Sequence, residues 1–510
     1  MGRLVINLLM NKTAVIVGGG LGGLFTAAIL SKEGVKVTVL EKNLNLGGGL
    51  QSFKRFGEVY DAGMHILSGM HEGGSIRKIC NYLGLTDKMH IRPVDDDCID
   101  ELHFVEDGST YRIGKGRQGF IDSLVKHFPD QREALTKYVD AMYTLLDEMD
   151  MFHLRPLKTT IFMHSEDFLI SVGDFIAKYI KDEKLRAVLA YMNPLYGGEM
   201  DKTPAYVHSI INVLYINGGN RFEGGCNLFV NELRKLIENN GGTVIVNDGV
   251  VSVSSENKLI TGVKTKSGKQ FTADYYISAI HPCTFVKLLE DKKILSKPYR
   301  ERLEAIPNSY SAFTLFVKLK PGKVKYFNYT RYCMTRYDEI WNIGVADEQW
   351  PRGVMYMTTP EINQGEYSTK MIITTPMSWE YVKKWENTTV GHRGEDYKAW
   401  KQECAKKLLD RIEKIHPGFI ESIEAINTAS PLTIRDYFGI KEGSMYGFMS
   451  DCNNIVLSQV PVVTKVKNLY LTGQNNNLHG FCGVPLTAIN TCEAIFGMNY
   501  IINKINAANP

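Results

Sequence analysis

The residues best suited to chemistry in this chain are three glycines, an acid and two histidines. Gly18, Gly20 and Gly23 stand in a Gly-x-Gly-x-x-Gly spacing directly after an apolar run at 14–17, and Glu41 closes a second apolar run at 37–40. Gly18 permits a tight turn, Gly20 lets the main chain come against a pyrophosphate, and Gly23 lets a helix lie close on a strand. The helix that follows turns unpaired N–H groups and the positive end of its dipole toward the phosphates. Glu41 is placed to accept from a ribose hydroxyl. Glycine-rich turns also occur for structural reasons alone, but a strand before, a helix after and an acid at this distance select a dinucleotide site. His65 follows a glycine loop just behind this unit, and His479 lies between a strand ending at Gly473 and a helix opening near Gly483 and Val484. Histidine titrates near neutral pH, so each is a candidate proton donor. Each also reads as a hydrogen-bonded structural residue.

These side chains need elements to hold them. Residues 14–42 read as a β-α-β unit, with Gly34 able to cap the helix. A second glycine cluster, Gly47-Gly48-Gly49, follows, where backbone approaches a bulky ligand or forms a plain loop. Between 113 and 215 the spacing turns helical and rich in Met and aromatics, which fits either ordinary core or a hydrophobic substrate tunnel. Gly224-Gly225 precedes a helix at 228–239, a strand at 243–246, a hairpin from Val250 onward and a strand at 275–279. Alternating strands fill 309–377, with a helix at 397–415. A last strand at 468–473 leads to a helix carrying Pro485 in its first turn. The fold class is therefore α/β: a discontinuous Rossmann-like dinucleotide-binding domain at 12–105, 220–300 and 430–510, with an inserted α+β substrate domain at 106–219 and 301–429.

At 510 residues the chain exceeds one small core. A net charge of +3 with 23% charged residues leaves no nucleic-acid footprint. Nine cysteines without a C-x-x-C pair argue for a reducing compartment, so the expected location is cytoplasmic, with peripheral membrane contact allowed. The stretch 3–10 is too short for a signal peptide, Met10 is a candidate start, and no apolar run reaches 18 residues. No metal-ligand pattern, hydrolytic nucleophile or P-loop stands out. His153 and His208 read as structural or surface residues.

Taken together, the Gly18 to Glu41 fingerprint, the Gly47-Gly48 loop, Gly224-Gly225, 433–447 and 473–494 resemble the flavin-dependent carotenoid desaturase, carotenoid isomerase and retinol saturase superfamily, related more distantly to amine oxidases. The resemblance implies FAD, with NAD(P)H as a candidate electron donor. It implies that Gly18, Gly20 and Gly23 take the pyrophosphate and Glu41 the adenosine ribose, flanked by Leu21 and Lys42. It places Gly48 and Gly49 on the cofactor, Val250 at the adenine, Gly473 by the ribityl chain, and Gly483 and Val484 at the flavin's pyrimidine edge. Asp61-Ala62-Gly63-Met64-His65 is similar to the D-x-G-x-H of the isomerase and saturase branch. Gly49 stands where bacterial desaturases and amine oxidases carry Arg. The implied activity is saturation of a C=C bond in a hydrophobic polyene or isoprenoid lipid, with isomerisation second and desaturation third. The fold is also similar to that of Rab GDP dissociation inhibitors, which bind prenylated proteins without redox chemistry. Substrate identity and oligomeric state stay open.

Overall fold

Short β-branched runs separated by helical stretches dictate a parallel sheet, since each crossover helix covers a face and leaves the strands apolar on both sides. The computed structural model describes residues 12–63, 65–157, 164–476 and 478–510. The stretch 3–10 with Met10, and Met64 of the Asp61 to His65 motif, lie outside the described residues. Five parallel strands stand in the order Leu469–Leu471, Tyr275–Ser278, Thr13–Val17, Lys36–Leu40 and Thr243–Ile245. Strands from three distant parts of the chain therefore share one sheet. Alternation along Thr13–Val17 sends Ala14 and Ile16 into the core with Leu24 and Ala28 of helix Leu21–Lys32, while Val15 and Val17 meet Val253, Ile260 and Val263. Those last three belong to the antiparallel meander Val250–Glu256, Leu259–Thr265 and Gln270–Phe271.

A second, seven-stranded sheet runs Ile423–Ala429, Ser311–Leu319, Lys370–Met377, Gly353–Thr358, Thr330–Met334, Asp100–Phe104 and Thr110–Ile113. One boundary differs from the sequence reading. Asp100–Phe104, inside the stretch 12–105, pairs in parallel with Thr330–Met334 and so belongs to this sheet, because the pairing partner and not chain proximity decides sheet membership. Helix Glu395–Ile415 covers one face through Cys404, Leu408 and Ile412 against Phe313, Leu315 and Val317. Phe316 and Ile372 on the opposite face meet Tyr60 and Phe53 of the Ser52–Arg55 and Glu58–Asp61 hairpin, joining the second sheet to the glycine-rich unit.

The insert is helical, with Gly116–Val125, Arg132–Asp147, Val172–Tyr179, Glu183–Leu189 and Ala205–Ile216 among its helices. Inside it His208 is clamped between the Tyr138 and Tyr196 hydroxyls, 2.6 and 2.9 Å from its two ring nitrogens. Burial pushes it down to about 3, so it stays neutral as a structural residue.

The terminal helix starts earlier than the sequence suggests. It spans Gly480–Phe496 with His479 as N-cap, which moves Pro485 into the second turn, where one intrahelical bond is forgone. Gly483 explains the early start: a Cβ there would meet the Leu478 carbonyl carbon at 2.8 Å, so only glycine lets the preceding chain fold back over the new helix.

Candidate cofactor and substrate site

A cavity of about 440 Å³ runs from the glycine-rich turns into the space under the helical insert. The first turn and the second glycine cluster meet directly: Gly47 N–H donates to the Gly19 carbonyl at 2.8 Å, and a Cβ on Gly48 would stand 3.1 Å from Gly20 Cα. Gly18, Gly20, Leu21, Glu41, Lys42, Gly48 and Gly49 line this end, with Val250, Gly473, Gly483 and Val484 further round. Both histidines, His65 and His479, also face the cavity.

Gly23 is the exception. It does not line the cavity; a Cβ there would stand 2.1 Å from the Gly18 carbonyl oxygen, so its role is to let the helix lie on the turn. A packing glycine absent from the sequence-based set does the same from the other side. A Cβ on Gly22 would approach Gly473 Cα to 2.8 Å, and the fused Gly22-Gly23 pair was its only signal.

The residues fit FAD on several counts. Helices Leu21–Lys32 and Gly480–Phe496 both begin at this cavity, neither with a side-chain cap nor an acid in its first turn, so two sets of orphan N–H groups face one space. Gly20 is extended, at φ −74° and ψ 179°, and an added Cβ would meet nothing nearer than Gly48 Cα at 3.8 Å. At Gly49 it would meet nothing within 4 Å. The open faces of these glycines are free for a ligand. Glu41 is buried, with Oε2 accepting from Gly19 N–H at 2.7 Å and Oε1 from Asn43 N–H at 2.8 Å. Each oxygen keeps a further lone pair for a ribose hydroxyl.

The flavin containing amine oxidoreductase family model matches residues 21–322. The chain belongs to that family. The all-trans-retinol 13,14-reductase of Danio rerio is 26% identical over 94% of this chain and 85% of that protein. A prolycopene isomerase of an Oncidium hybrid cultivar is 22% identical over 91% and 80%. A solved oxidoreductase from Methanosarcina mazei superposes with a TM-score of 0.62 at 19% identity, covering 94% of this chain and all of that one. The cofactor is FAD, and the chain is an FAD-dependent oxidoreductase.

The structure gives several family motif positions a physical task. Asp61 is buried and does not reach for ligand: Oδ1 accepts from Ser52 Oγ at 2.6 Å and from Cys226 N–H at 2.8 Å, while Ser52 Oγ accepts from Asn227 N–H at 3.1 Å. This knot ties the Gly224-Gly225 turn to the hairpin that presents His65. Burial pushes its carboxyl above the usual range, held back by those hydrogen bonds. The Lys42 ammonium is spent on the Asp436 carbonyl at 2.7 Å, and Asn43 Nδ2 donates to the Tyr437 carbonyl at 2.7 Å. Lys42 thus pins the C-terminal end of helix Pro431–Phe438 over the cavity, a favourable place for a cation. His479 sits beside Tyr446, ring centroids 5.2 Å apart, and its Nε2 has no hydrogen-bond partner among the described residues. Burial pushes it down to about 4, so it is neutral near pH 7 and can donate only as an imidazole N–H.

Sequence reasoning missed one polar group altogether. Arg221 is buried beside His65, with Nη1 donating to the His65 carbonyl at 3.3 Å and Nη2 to Thr330 Oγ1 at 3.0 Å. Asp100 lies near it, accepting from the Tyr191 hydroxyl at 2.8 Å. Burial raises Asp100 to about 7, against the opposing pull of Tyr191, Arg221 and Thr330. No spacing signals this group, because its members come from two strands of the second sheet, a short strand after the insert and a helical turn.

Proposed function

We propose that the protein uses reduced FAD to saturate a carbon–carbon double bond in a long apolar polyene or isoprenoid lipid. The observation that carries this reading is the continuity of the cavity: the glycine cradle opens without a break onto walls made by Phe152, Leu195, Ile210, Ile211 and Leu214. A lipid in that chamber lies against the flavin end, out of water. The relatives named as all-trans-retinol 13,14-reductases, matched over nearly the whole chain, support the same reading.

Bound FAD supplies a hydride to one carbon of the double bond. The chain's task is then to hold the lipid, exclude water and deliver one proton to the neighbouring carbon, which balances addition of two hydrogens. His65 is the first candidate for that proton, since it lines the cavity and is fixed from behind by Arg221 on its carbonyl. His479, neutral, is the weaker donor. NAD(P)H is the candidate that reloads FAD. The nine unbridged cysteines support a cytoplasmic enzyme that draws its lipid from a membrane face.

The test is to mix anaerobically reduced enzyme with all-trans-retinol and with a carotene and to weigh the products. A product two hydrogens heavier supports saturation. An isobaric product transfers the protein to the isomerase reading that the Oncidium relative favours. Turnover of soluble amines alone overturns both.

A further inference from the structure

The chamber wall carries polar groups among its apolar surroundings. Tyr332, on strand Thr330–Met334, lines the cavity and is 1% exposed, yet its hydroxyl has no hydrogen-bond partner among the described residues. Two other phenols on the lining are committed: Tyr446 O–H donates to the Pro194 carbonyl at 2.7 Å, and Tyr310 O–H to the Asn193 carbonyl at 3.3 Å. Buried hydroxyls in native proteins are nearly always paired, so an unpaired one on a cavity wall points at what the cavity receives. Gln51 Nε2, His479 Nε2 and Ser311 Oγ are also unpartnered; the first two follow the second glycine cluster and cap the terminal helix, on the cofactor side, and Ser311 opens strand Ser311–Leu319, separated from the Tyr332 strand by two others. Tyr332 instead stands opposite Met355 across the sheet, beside the apolar chamber.

What lies behind Tyr332 strengthens the point. Its ring meets Tyr191 edge to face at 5.3 Å, and Tyr191 donates to Asp100 Oδ2, leaving Asp100 Oδ1 without a partner. Thr330, two residues away and also on the cavity wall, accepts from the buried Arg221. Two hydroxyls stand on one wall of a lipid chamber with a carboxyl and a cation packed behind them, and a pure hydrocarbon would leave the Tyr332 hydroxyl facing carbon. That arrangement carries a cost unless an oxygen meets it.

We propose that the wall formed by Tyr332 and Thr330, backed by Asp100 and Arg221, is the subsite for an oxygen atom of the substrate, so that the lipid is a polyene bearing a hydroxyl or carbonyl group and not a hydrocarbon carotene. This rests on the reading of the chamber as a polyene site and narrows the substrate class within it. Tyr332 O–H donates to the incoming oxygen, or accepts from a hydroxyl.

The test is equilibrium binding to the FAD-loaded protein, read as the change in the flavin's visible absorbance. The probes are all-trans-retinol and its deoxy analogue, in which a methyl group replaces the hydroxymethyl. The parent protein is expected to prefer retinol about tenfold, the worth of one buried hydrogen bond. Tyr332→Phe deletes a hydroxyl that bonds nothing in the protein, so flavin content and thermal midpoint should hold. The preference should fall to within about twofold, through weaker retinol binding at unchanged affinity for the analogue. Equal affinities in the parent protein overturn the proposal by themselves, as does an unaltered preference in Tyr332→Phe. Binding of neither polyene overturns the polyene reading as well, a different result from equal binding of both.

Discussion

Replacing Gly20 by alanine separates what the cofactor asks of the first turn from what the fold asks. The backbone at Gly20 is open to any residue, and the nearest atom to an added Cβ is Gly48 Cα at 3.8 Å, an ordinary contact. Alanine is a poorer N-cap than glycine by roughly 0.5 kcal/mol, and it loses less chain entropy on folding by a similar amount. The cofactor-free Gly20→Ala protein should therefore unfold within about 1 kcal/mol of its parent. The cavity face responds differently. A methyl group there holds the main chain off the pyrophosphate, and each hydrogen bond to a charged group contributes about 1.5–3 kcal/mol. Losing one or two costs about 3 kcal/mol, a drop of about 100-fold in FAD affinity. Gly23→Ala is the contrast, because its Cβ would stand 2.1 Å from the Gly18 carbonyl oxygen and 3.1 Å from Ala279 Cβ. A backbone oxygen cannot give way without opening the turn, so this variant should lose about 3 kcal/mol or more even without cofactor. The assay is flavin per chain after desalting, FAD titration of the stripped protein by fluorescence, and urea unfolding of both variants without cofactor. A Gly20→Ala protein that keeps parental FAD affinity refutes the reasoning. So does one as unstable without cofactor as Gly23→Ala.

Two further outcomes test the supporting groups. Asp61→Ala strips the acceptor from Cys226 N–H and Ser52 Oγ and should cost about 3 kcal/mol by urea unfolding, whereas Asp61→Asn, which keeps an acceptor oxygen, should cost under about 1 kcal/mol; equal losses would sink the knot. Asp100, raised to about 7 when folded against 3.8 ordinarily, binds its proton more tightly in the native state, so its favourable term is whole below about pH 4 and is lost as pH rises through 7. Unfolding of the parent and of Asp100→Asn between pH 4 and pH 8 should show the parent losing up to about 4 kcal/mol relative to the variant, and a flat difference refutes the raised carboxyl.

The sequence by itself determined the cofactor half of this protein. Gly18, Gly20 and Glu41 lie within one β-α-β unit, where spacing along the chain fixes distance in space, so local rules suffice to read them. Even there, the division of labour between Gly20, whose open face lines the cavity, Gly22, which lines it and also packs on Gly473, and Gly23, which faces only protein, needed the packed helix to appear. Lys42 shows the same limit: its place beside Glu41 is local, but its partner, the Asp436 carbonyl, is 394 residues away. The substrate half was decided by tertiary structure alone. Asp100, Tyr191, Arg221, Thr330 and Tyr332 carry no common spacing, and each alone reads as an ordinary strand, helix or loop residue. Pairing of Asp100–Phe104 with Thr330–Met334 brings two of these segments together, and burial then gives the polar atoms an energy that their residue types do not reveal. Tertiary structure likewise moved the start of the terminal helix to Gly480, because Gly483 tolerates the fold-back of Leu478, a close approach between residues that no periodicity in the sequence records.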